Sequence, residues 1–328
     1  MLSIVEINYK DWTKLWRNCK HTNLLQSWEY GSAKENVENW IPYRFTLLDN
    51  MGENIGLVQV LVKKIPILGF FARINRGPII TRQVDNKFKK ELIVEAIRLL
   101  KVESKGRKWR ILQIAPELDF SIELINELKN MGLRPSSTTA WGSGTLPIKM
   151  NKDELIMQFN GKWRNCLRKG LKSNISITYS NNCNEDLKLL LENYSKLKKQ
   201  KQFSSITESF IKELSKQNNE NWKFNLFIAF KNANQQEESI GTLLSISHGD
   251  TAIYLIGTSN SIGRKLNVNY VLLWEAILKS KIQGCNYFDI GGLNKNTPSG
   301  IAHFKKGTNS NLYDLIGDWR LLNFSFKN

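Results

Sequence analysis

The chain has 328 residues, of which 41% are hydrophobic and 10% aromatic, values typical of a folded protein and not of a disordered one. The formal net charge is +17, which favours a polyanionic partner such as RNA, an anionic membrane surface or a phosphorylated substrate. A composition rich in Lys, Asn and Ile offers the simpler explanation that this charge reflects biased residue usage.

The cysteines and histidines exclude several kinds of chemistry. The four cysteines form no CxxC pair, and the three histidines have no carboxylate or second histidine at ligand spacing. We therefore expect neither a disulfide framework nor a catalytic metal. The chain begins without a basic region followed by an apolar core, and its longest apolar stretch, Ile65–Ala72, is too short to span a bilayer. These features predict a cytoplasmic protein, with the inner face of the membrane as a further location.

A faint internal repeat organises the chain. Glu53–Val60 resembles Glu238–Ser245, and Val94–Arg98 is echoed by Trp274–Leu278 inside an amphipathic helix. In both places the helix is followed by a turn and a strand. The sequence therefore predicts an α/β fold with mixed sheets and two related lobes, over residues 1–150 and 151–328. The last strand is expected to pack back on the first lobe.

The second lobe begins with basic helical segments, Gly161–Gly170 and Tyr194–Lys201. Most charge runs are solvated helix faces. A basic helix that also carries Trp163 is equally suited to contact an RNA backbone.

Further along, an apolar strand, Ala252–Gly257, leads into a short basic loop and then a helix. The next buried strand, Tyr287–Ile290, ends at a pair of glycines. This order predicts free backbone N–H groups and a positive helix end beside Arg264 and Lys265, an arrangement that binds phosphate. An ordinary β-α-β unit with a basic surface turn explains the same pattern.

Several blocks of sequence together resemble one known family. They are Gln26–Lys34, Lys162–Gly170, Arg264–Tyr270 with Trp274–Ile277, Tyr287–Gly292 and Gly300–Gly307. In these blocks the chain resembles the Fem aminoacyltransferases, relatives of the N-acetyltransferases that carry two N-acetyltransferase-like lobes in tandem. The resemblance implies transfer of an amino acid from aminoacyl-tRNA to an amine on a peptidoglycan precursor. It implies no metal and no soluble cofactor.

The resemblance assigns the chemistry to residues near the C-terminus. It implies that Phe304 stacks on the terminal adenine of the tRNA and that Lys305 stabilises negative charge at the reacting ester. Without the family motif, the favoured interpretation is that Phe304 is a core aromatic residue and Lys305 a surface lysine. Asp289 ends a predicted strand and is a candidate acceptor of the amine proton, although capping of the Gly291-Gly292 turn explains it as well. His303 is an alternative base.

The basic loop separates this family from acetyl-CoA enzymes. Those enzymes commonly carry Gln/Arg-x-x-Gly-x-Gly/Ala around the pyrophosphate, and the matching positions here are Arg264, Asn267 and Asn269, with Lys265 beside them. Asparagine side chains fill the space that glycine leaves for the phosphate. We therefore assign these residues to a tRNA donor, although asparagine also tolerates tight loops and does not exclude CoA.

The acceptor is assigned to lysines in both lobes. Lys34 matches a lysine that holds the nucleotide diphosphate of the acceptor in the family. Lys201 lies where family members often carry an arginine that contacts the acceptor phosphate. A lysine supplies the same positive charge but cannot form the two parallel hydrogen bonds of an arginine. The implied acceptor is a UDP- or lipid-linked muropeptide or another peptide amine.

Two other functions fit parts of the sequence. One is an acyl-CoA-dependent N-acyltransferase acting on an amino sugar of a surface polysaccharide. The other is an RNA-binding protein on a degenerate acyltransferase scaffold, which the retention of Phe304 and Lys305 argues against.

Overall fold

A computed structural model describes residues 2–81, 84–180, 184–201, 206–233 and 236–323, and the side chains of 200, 201, 232, 233, 236 and 237 are left aside. The chain divides into two compact units. The first contains Met1–Gly142 and Tyr313–Asn328, and the second contains Ser143–Leu312. This division lies before the boundary at residue 150 that the sequence suggested, because the strand leading up to that residue belongs to the sheet of the second unit.

The first unit is built on one mixed sheet with the strand order β1-β2-β3-β4-β6-β15-β7, and β5 pairs with β3. The last strand, β15, returns from the C-terminal end of the chain to pair with β6 and β7. A short 3-10 helix spans Leu24–Gln26. The other elements are β1 (Ser3–Glu6), α1 (Tyr9–Trp16), α2 (Trp28–Glu38), β2 (Ile41–Leu48), β3 (Asn54–Ile65), β4 (Gly69–Asn75), β5 (Ile79–Ile80), α3 (Asn86–Gly106), β6 (Trp109–Ala115), α4 (Ile122–Asn130), β7 (Arg134–Pro135) and, near the C-terminus, β15 (Trp319–Leu322).

Strand β3 shows why this sheet is covered on both faces. Its residues alternate, so that Val58 and Val60 join the core formed with α3 and α4, while Leu57 packs with Trp12 and Trp16 of α1. A nearly continuous apolar strand is the expected sequence for a sheet buried on both sides.

The second unit has its own mixed sheet, with the order β14-β8-β13-β12-β11-β10-β9. Helix α10 packs against β10, β11 and β12 and also contacts α6. The elements are β8 (Gly142–Pro147), α5 (Lys152–Gln158), α6 (Gly161–Leu171), β9 (Ile175–Ser180), α7 (Asn184–Lys201), α8 (Glu208–Ser215), β10 (Trp222–Ala233), β11 (Gln236–His248), β12 (Thr251–Ser259), α9 (Ser261–Lys265), α10 (Val268–Ile282), β13 (Tyr287–Asp289), α11 (Ser299–Lys306) and β14 (Asn311–Asp314).

The same arrangement occurs once in each unit, as the internal repeat predicted. In the first unit β3 and β4 form a hairpin, α3 crosses over, and β6 returns parallel to β4. In the second unit β11 and β12 form the hairpin, α10 crosses over, and β13 returns parallel to β12. The predicted mixed α/β class with two related lobes is confirmed.

One local prediction from the sequence is wrong. The basic segment before α10 is not an open loop, because Ser261–Lys265 forms α9, whereas α10 itself begins at Val268 without a side-chain cap. The N–H groups of Arg264, Leu266 and Asn267 donate to backbone carbonyls of this turn at 3.1, 3.0 and 3.2 Å. The helix forms because the Asn260 side chain caps it, accepting from the N–H of Gly263 at 2.8 Å.

Among the described residues, no helix has both the length and the apolar character needed to cross a membrane.

Candidate active site

A tight turn after β13 brings together the residues most suited to chemistry. Strand β13 lies between β12 and β8, so Asp289 at its end is buried. One oxygen of Asp289, Oδ1, accepts hydrogen bonds from the N–H of Gly291 at 2.8 Å and from the buried hydroxyl of Ser143. Ser143 Oγ also lies 2.8 Å from the carbonyl oxygen of Gly291. These contacts fix the Gly291-Gly292 turn.

Gly291 is required by the geometry of that turn. Its φ is +73°, in the left-handed region where a side chain is strained. A Cβ at this position would lie 2.4 Å from the backbone oxygen of Tyr254. The turn therefore passes directly over β12, and its next carbonyl, that of Gly292, is available to a neighbour.

That neighbour is Lys305, which reaches the turn from α11. Its side chain is only 6% exposed, and its Nζ donates to the Gly292 carbonyl at 2.9 Å. The same Nζ lies 5.1 Å from the centre of the Tyr254 ring, within range of a cation–π interaction. Burial lowers the pKa of Lys305 to about 8, and the nearby negative charge of Asp289 opposes part of this shift.

The next residue along the helix behaves differently. Lys306 is exposed, whereas Lys305 is buried. The two adjacent lysines therefore face different environments, as expected if Lys305 alone belongs to a site. The contacts of Asp289 agree with the turn-capping role that the sequence allowed, and its role as a proton acceptor stays a prediction.

Phe304, the residue before Lys305 on α11, lies in a cluster of aromatic rings. Its ring centre is 6.2 Å from that of Trp163 and 5.1 Å from that of Tyr270. Trp163 Nε1 also donates to the Phe304 carbonyl at 3.2 Å, which ties α11 to α6. Phe304 is partly exposed, so one part of its ring packs in the protein while the rest remains accessible.

One further contact holds this cluster together. Gly307, directly after α11, leaves room for Trp163, because a Cβ there would lie 2.7 Å from Trp163 Cδ1. Burial and the neighbouring Cys166 raise the pKa of the Tyr270 phenol to about 12. The phenol is therefore neutral at physiological pH.

Helix α6 presents a basic outer face beside this cluster. Trp163, Leu167 and Gly170 form its buried side. Gly170 packs tightly against the start of α10, since a Cβ would lie 3.3 Å from the carbonyl oxygens of Leu266 and Asn267. The opposite face carries the exposed cations Lys162, Arg168 and Lys169, and the exposed Lys172 follows the helix. Arg164 instead donates to the Phe159 carbonyl at 2.7 Å and supports the end of α5.

The other residues assigned to donor binding lie on α9 and around the start of α10. Arg264 and Lys265 are exposed on α9, and Arg264 Nη1 donates to the Ser259 carbonyl at 2.8 Å. Asn267 has a left-handed backbone with φ of 60° before α10, and Asn269 donates to the Ser259 hydroxyl at 3.0 Å. Their role in donor binding stays a prediction.

Lys34 lies in the first unit, on α2. Its Nζ contacts Glu38 Oε1 at 2.6 Å and lies 5.6 Å from the centre of the Tyr30 ring. Glu38 also accepts from Trp40 Nε1 at 3.2 Å. Lys34 is thus partly neutralised by an ion pair that a ligand anion would have to displace. Lys201 is the final residue of α7, and its side chain lies outside the described residues.

Ser143, Tyr254, Trp163 and Tyr270 contribute to the site without having been assigned to it from the sequence. Ser143 belongs to a run of small residues at the start of β8, Gly142–Gly144, and Tyr254 interrupts the otherwise aliphatic segment Ala252–Ile256 of β12. These irregularities were the available signals. Among the described residues, no group of three or more His, Cys, Asp or Glu side chains is arranged to hold a metal ion.

Comparison with known proteins bears on the family resemblance that the sequence suggested. The model of the FemAB family matches residues 171–323, which confirms the resemblance to the Fem family over that part of the chain. No curated protein sequence matches the chain.

Solved structures extend the likeness of fold along the chain. A crystal structure of FemX is similar with a TM-score of 0.80 and 18% identity, covering 98% of this chain and 97% of FemX. A tandem GNAT protein from the clavulanic acid biosynthesis pathway has a TM-score of 0.57 and 10% identity, with 99% of both chains covered. The C-terminal domain of a putative lysylphosphatidylglycerol synthetase from Agrobacterium fabrum has a TM-score of 0.52 and 9% identity, covering 95% of this chain and 92% of that one.

Proposed function

We propose that this protein with a Fem-type, tandem GNAT-like fold is an aminoacyltransferase. It moves an amino acid from aminoacyl-tRNA to an amine of a peptidoglycan precursor or of a related peptide. The observation that carries the proposal is the buried Lys305, held by the Gly292 carbonyl at the end of the parallel strand pair.

Lys305 is suited to stabilise negative charge that develops during acyl transfer. The acceptor nitrogen attacks the ester carbonyl carbon and forms a C–N bond, and the carbonyl oxygen becomes an oxyanion. The C–O bond to the ribose then breaks, the nitrogen loses a proton and the ribose oxygen gains one. A cation held in a site with little water stabilises the oxyanion more strongly than one in solvent. With a pKa of about 8, Lys305 is mostly charged at neutral pH.

Besides this charge stabilisation, the reaction requires little catalytic assistance from the protein. An aminoacyl ester is already activated, so alignment of the two substrates supplies much of the remaining rate enhancement. The hydrogen bonds of Ser143 and Asp289 fix the turn that positions Lys305 Nζ. In this proposal Ser143 acts through the turn rather than on the substrate, and Asp289 positions the turn in addition to its predicted role as acceptor of the amine proton.

The aromatic cluster and the basic face account for an RNA donor. Partly exposed Phe304 offers a ring for the terminal base, since every base has a face that stacks on aromatic side chains. Further exposed cations, Arg264 and Lys265, lie on α9, directly before the Leu266 and Asn267 carbonyls against which Gly170 of α6 packs. Exposed cations on α6 and α9, together with a partly exposed aromatic ring, suit the 3′ end of a tRNA and the phosphates that follow it.

For the acceptor we propose Lys34, with Lys201 as a second cation. A lysine ammonium suits the diphosphate of a UDP- or lipid-linked muropeptide. The ion pair of Lys34 with Glu38 makes this contact conditional, because the phosphate must compete with the carboxylate.

The test is a transfer reaction with defined substrates. The protein is incubated with a mixture of charged tRNAs and UDP-linked muropeptides, and amino-acid transfer is followed by mass spectrometry. Binding of an acceptor-stem RNA is measured in parallel, and it should weaken steeply as salt is raised. Turnover of acetyl-CoA on an amino sugar, with no RNA binding at low salt, would instead establish the acyl-CoA-dependent activity.

A further inference from the structure

The turn between β3 and β4 exposes a cluster of apolar side chains in the first unit. Ile67 is fully exposed at its tip, and Leu68 and Phe70 are 49% and 37% exposed. The strands that lead to this tip are regular up to the Ile65–Gly69 pair, so the apolar residues project from a well-formed hairpin. We call Ile67, Leu68 and Phe70 the apolar tip.

The backbone at Ile67 makes its identity unexpected. Its φ is 67°, a left-handed conformation that glycine or asparagine adopts readily and a β-branched residue does not. Isoleucine at this position therefore weakens the turn and also places a large apolar side chain in water. Neither folding nor core packing explains it, which points to a contact outside the chain.

Three cations lie near the apolar tip, one on β3 and two around the start of β6. Lys64 is exposed and lies opposite Phe70 in the hairpin, while Phe70 pairs with Trp109 at the start of β6. The residues on each side of Trp109, Lys108 and Arg110, are both exposed. The Arg110 stem also lies against the turn, since a Cβ at position 69 would be 2.9 Å from Arg110 Cγ.

This region also lacks opposing charge in its own sequence. Neither residues 63–76 nor residues 104–113 contain an aspartate or glutamate. An apolar tip with exposed cations and without acidic residues in the same segments is complementary to an anionic, partly apolar surface.

We propose that the apolar tip and the cations Lys64, Lys108 and Arg110 dock this protein on an anionic phospholipid bilayer. The apolar side chains enter the boundary between headgroups and acyl chains, and the cations contact the lipid phosphates. A protein partner is less suited, because a stable protein interface buries about 800 Å² on each side and three side chains at a hairpin tip offer much less. The contact is shallow, so binding is reversible and depends on anionic lipid.

The experiment is co-sedimentation of the full chain with vesicles of phosphatidylcholine alone or with a third of phosphatidylglycerol. The first variant is Ile67→Gly, which removes the side chain and relieves the left-handed strain, so it folds at least as well as the parent. Its partition onto anionic vesicles should fall about tenfold, which corresponds to about 1.4 kcal/mol. Ile122→Ser is the matched control, because Ile122 is 68% exposed at the start of α4, and it should bind like the parent.

The charge contribution is tested with Lys108→Gln combined with Arg110→Gln. Each cation near an anionic membrane strengthens binding by about fivefold, so this variant should bind anionic vesicles roughly 25-fold less. Lys20→Gln combined with Lys87→Gln removes two exposed charges elsewhere in the unit and should cause a much smaller loss.

Three results would overturn the proposal. The first is equal binding of the parent protein to neutral and anionic vesicles. The second is unchanged binding after Ile67→Gly. The third is self-association of the parent that Ile67→Gly abolishes, with no vesicle binding, since the tip would then be a contact between copies. None of these readouts depends on aminoacyl transfer, so they leave the proposed function to its own test.

Discussion

Each unit places a cation at the end of its parallel strand pair, but the two cations are held differently. In the first unit Arg76 follows β4 and pairs with Glu117, which follows β6, through two hydrogen bonds of 2.7 and 2.6 Å. Arg76 also donates to the Tyr313 hydroxyl at 2.9 Å. In the second unit Lys305 donates to a neutral carbonyl, that of Gly292, and carries a pKa lowered to about 8.

The difference shows how one strand arrangement serves two purposes. A guanidinium paired through two of its nitrogens, Nε and Nη2, to a carboxylate is neutralised in place, so Arg76 is suited to hold the first unit together. Lys305 is buried and only partly compensated by Asp289, so it is suited to stabilise a new negative charge. We therefore expect structural effects from changes at Arg76 and chemical effects from changes at Lys305.

The largest effect on stability should follow from breaking the ion pair of the first unit. Glu117→Ala leaves the buried Arg76 without its carboxylate, and we expect the free energy of unfolding to fall by about 3–5 kcal/mol. Urea unfolding measures this change, and transfer per folded molecule should be unaltered. Glu123→Ala, at an exposed carboxylate of α4, serves as the control. Lost transfer without lost stability would contradict the structural role of the pair.

A smaller effect is expected at the aromatic ring beside Lys305. Phe304→Ala should weaken binding of an acceptor-stem RNA by about 1–3 kcal/mol, because one base loses its stacking partner. Titration of labelled RNA at constant salt measures this affinity. Phe120→Ala removes an equally large ring that is 64% exposed in the first unit, and it should leave the affinity unchanged. Equal losses from the two variants would show that Phe304 has no specific part in RNA binding.

The pH dependence separates the two cations further. Lys305 has a lowered pKa, so the active, charged form predominates below about pH 8 and is lost as pH rises through that value. Arginine stays charged over this range. The ratio of the parent rate to the Lys305→Arg rate should thus be constant below pH 7 and fall up to tenfold per pH unit above pH 8. Ionisation of the acceptor amine affects both rates equally, so it cancels in the ratio. A ratio that stays constant up to pH 9.5 would exclude catalysis by the Lys305 cation.

The sequence predicted the elements of the second unit better than their contacts. The strand–helix–strand order around α10 was readable because apolar residues recur at helical spacing between two apolar runs. The hydrogen bond between Ser143 and Asp289 could not be predicted from the sequence, because it joins residues 146 positions apart and depends on β8 pairing with β13. Helix α9 was missed because its cap is Asn260, and asparagine is common in loops as well as at the start of helices.

The same limit applies to the burial of Lys305. Two successive lysines at the end of a short helix have no local signal that distinguishes them. Burial of the first depends on the distant turn at Gly291 and on Tyr254. From the sequence, only the family resemblance indicated a role for Lys305, and the structure supplies the physical reason for its burial.

The most direct test compares Lys305→Ala with Lys306→Ala in single-turnover transfer at saturating charged tRNA. Removal of one electrostatic contact to a developing oxyanion costs on the order of 10²–10³ in rate, about 3–4 kcal/mol. We predict a loss of this size for Lys305→Ala with folding and RNA affinity nearly intact, and at most a modest loss of RNA affinity for Lys306→Ala. Small and equal effects from the two variants would contradict the catalytic role of Lys305.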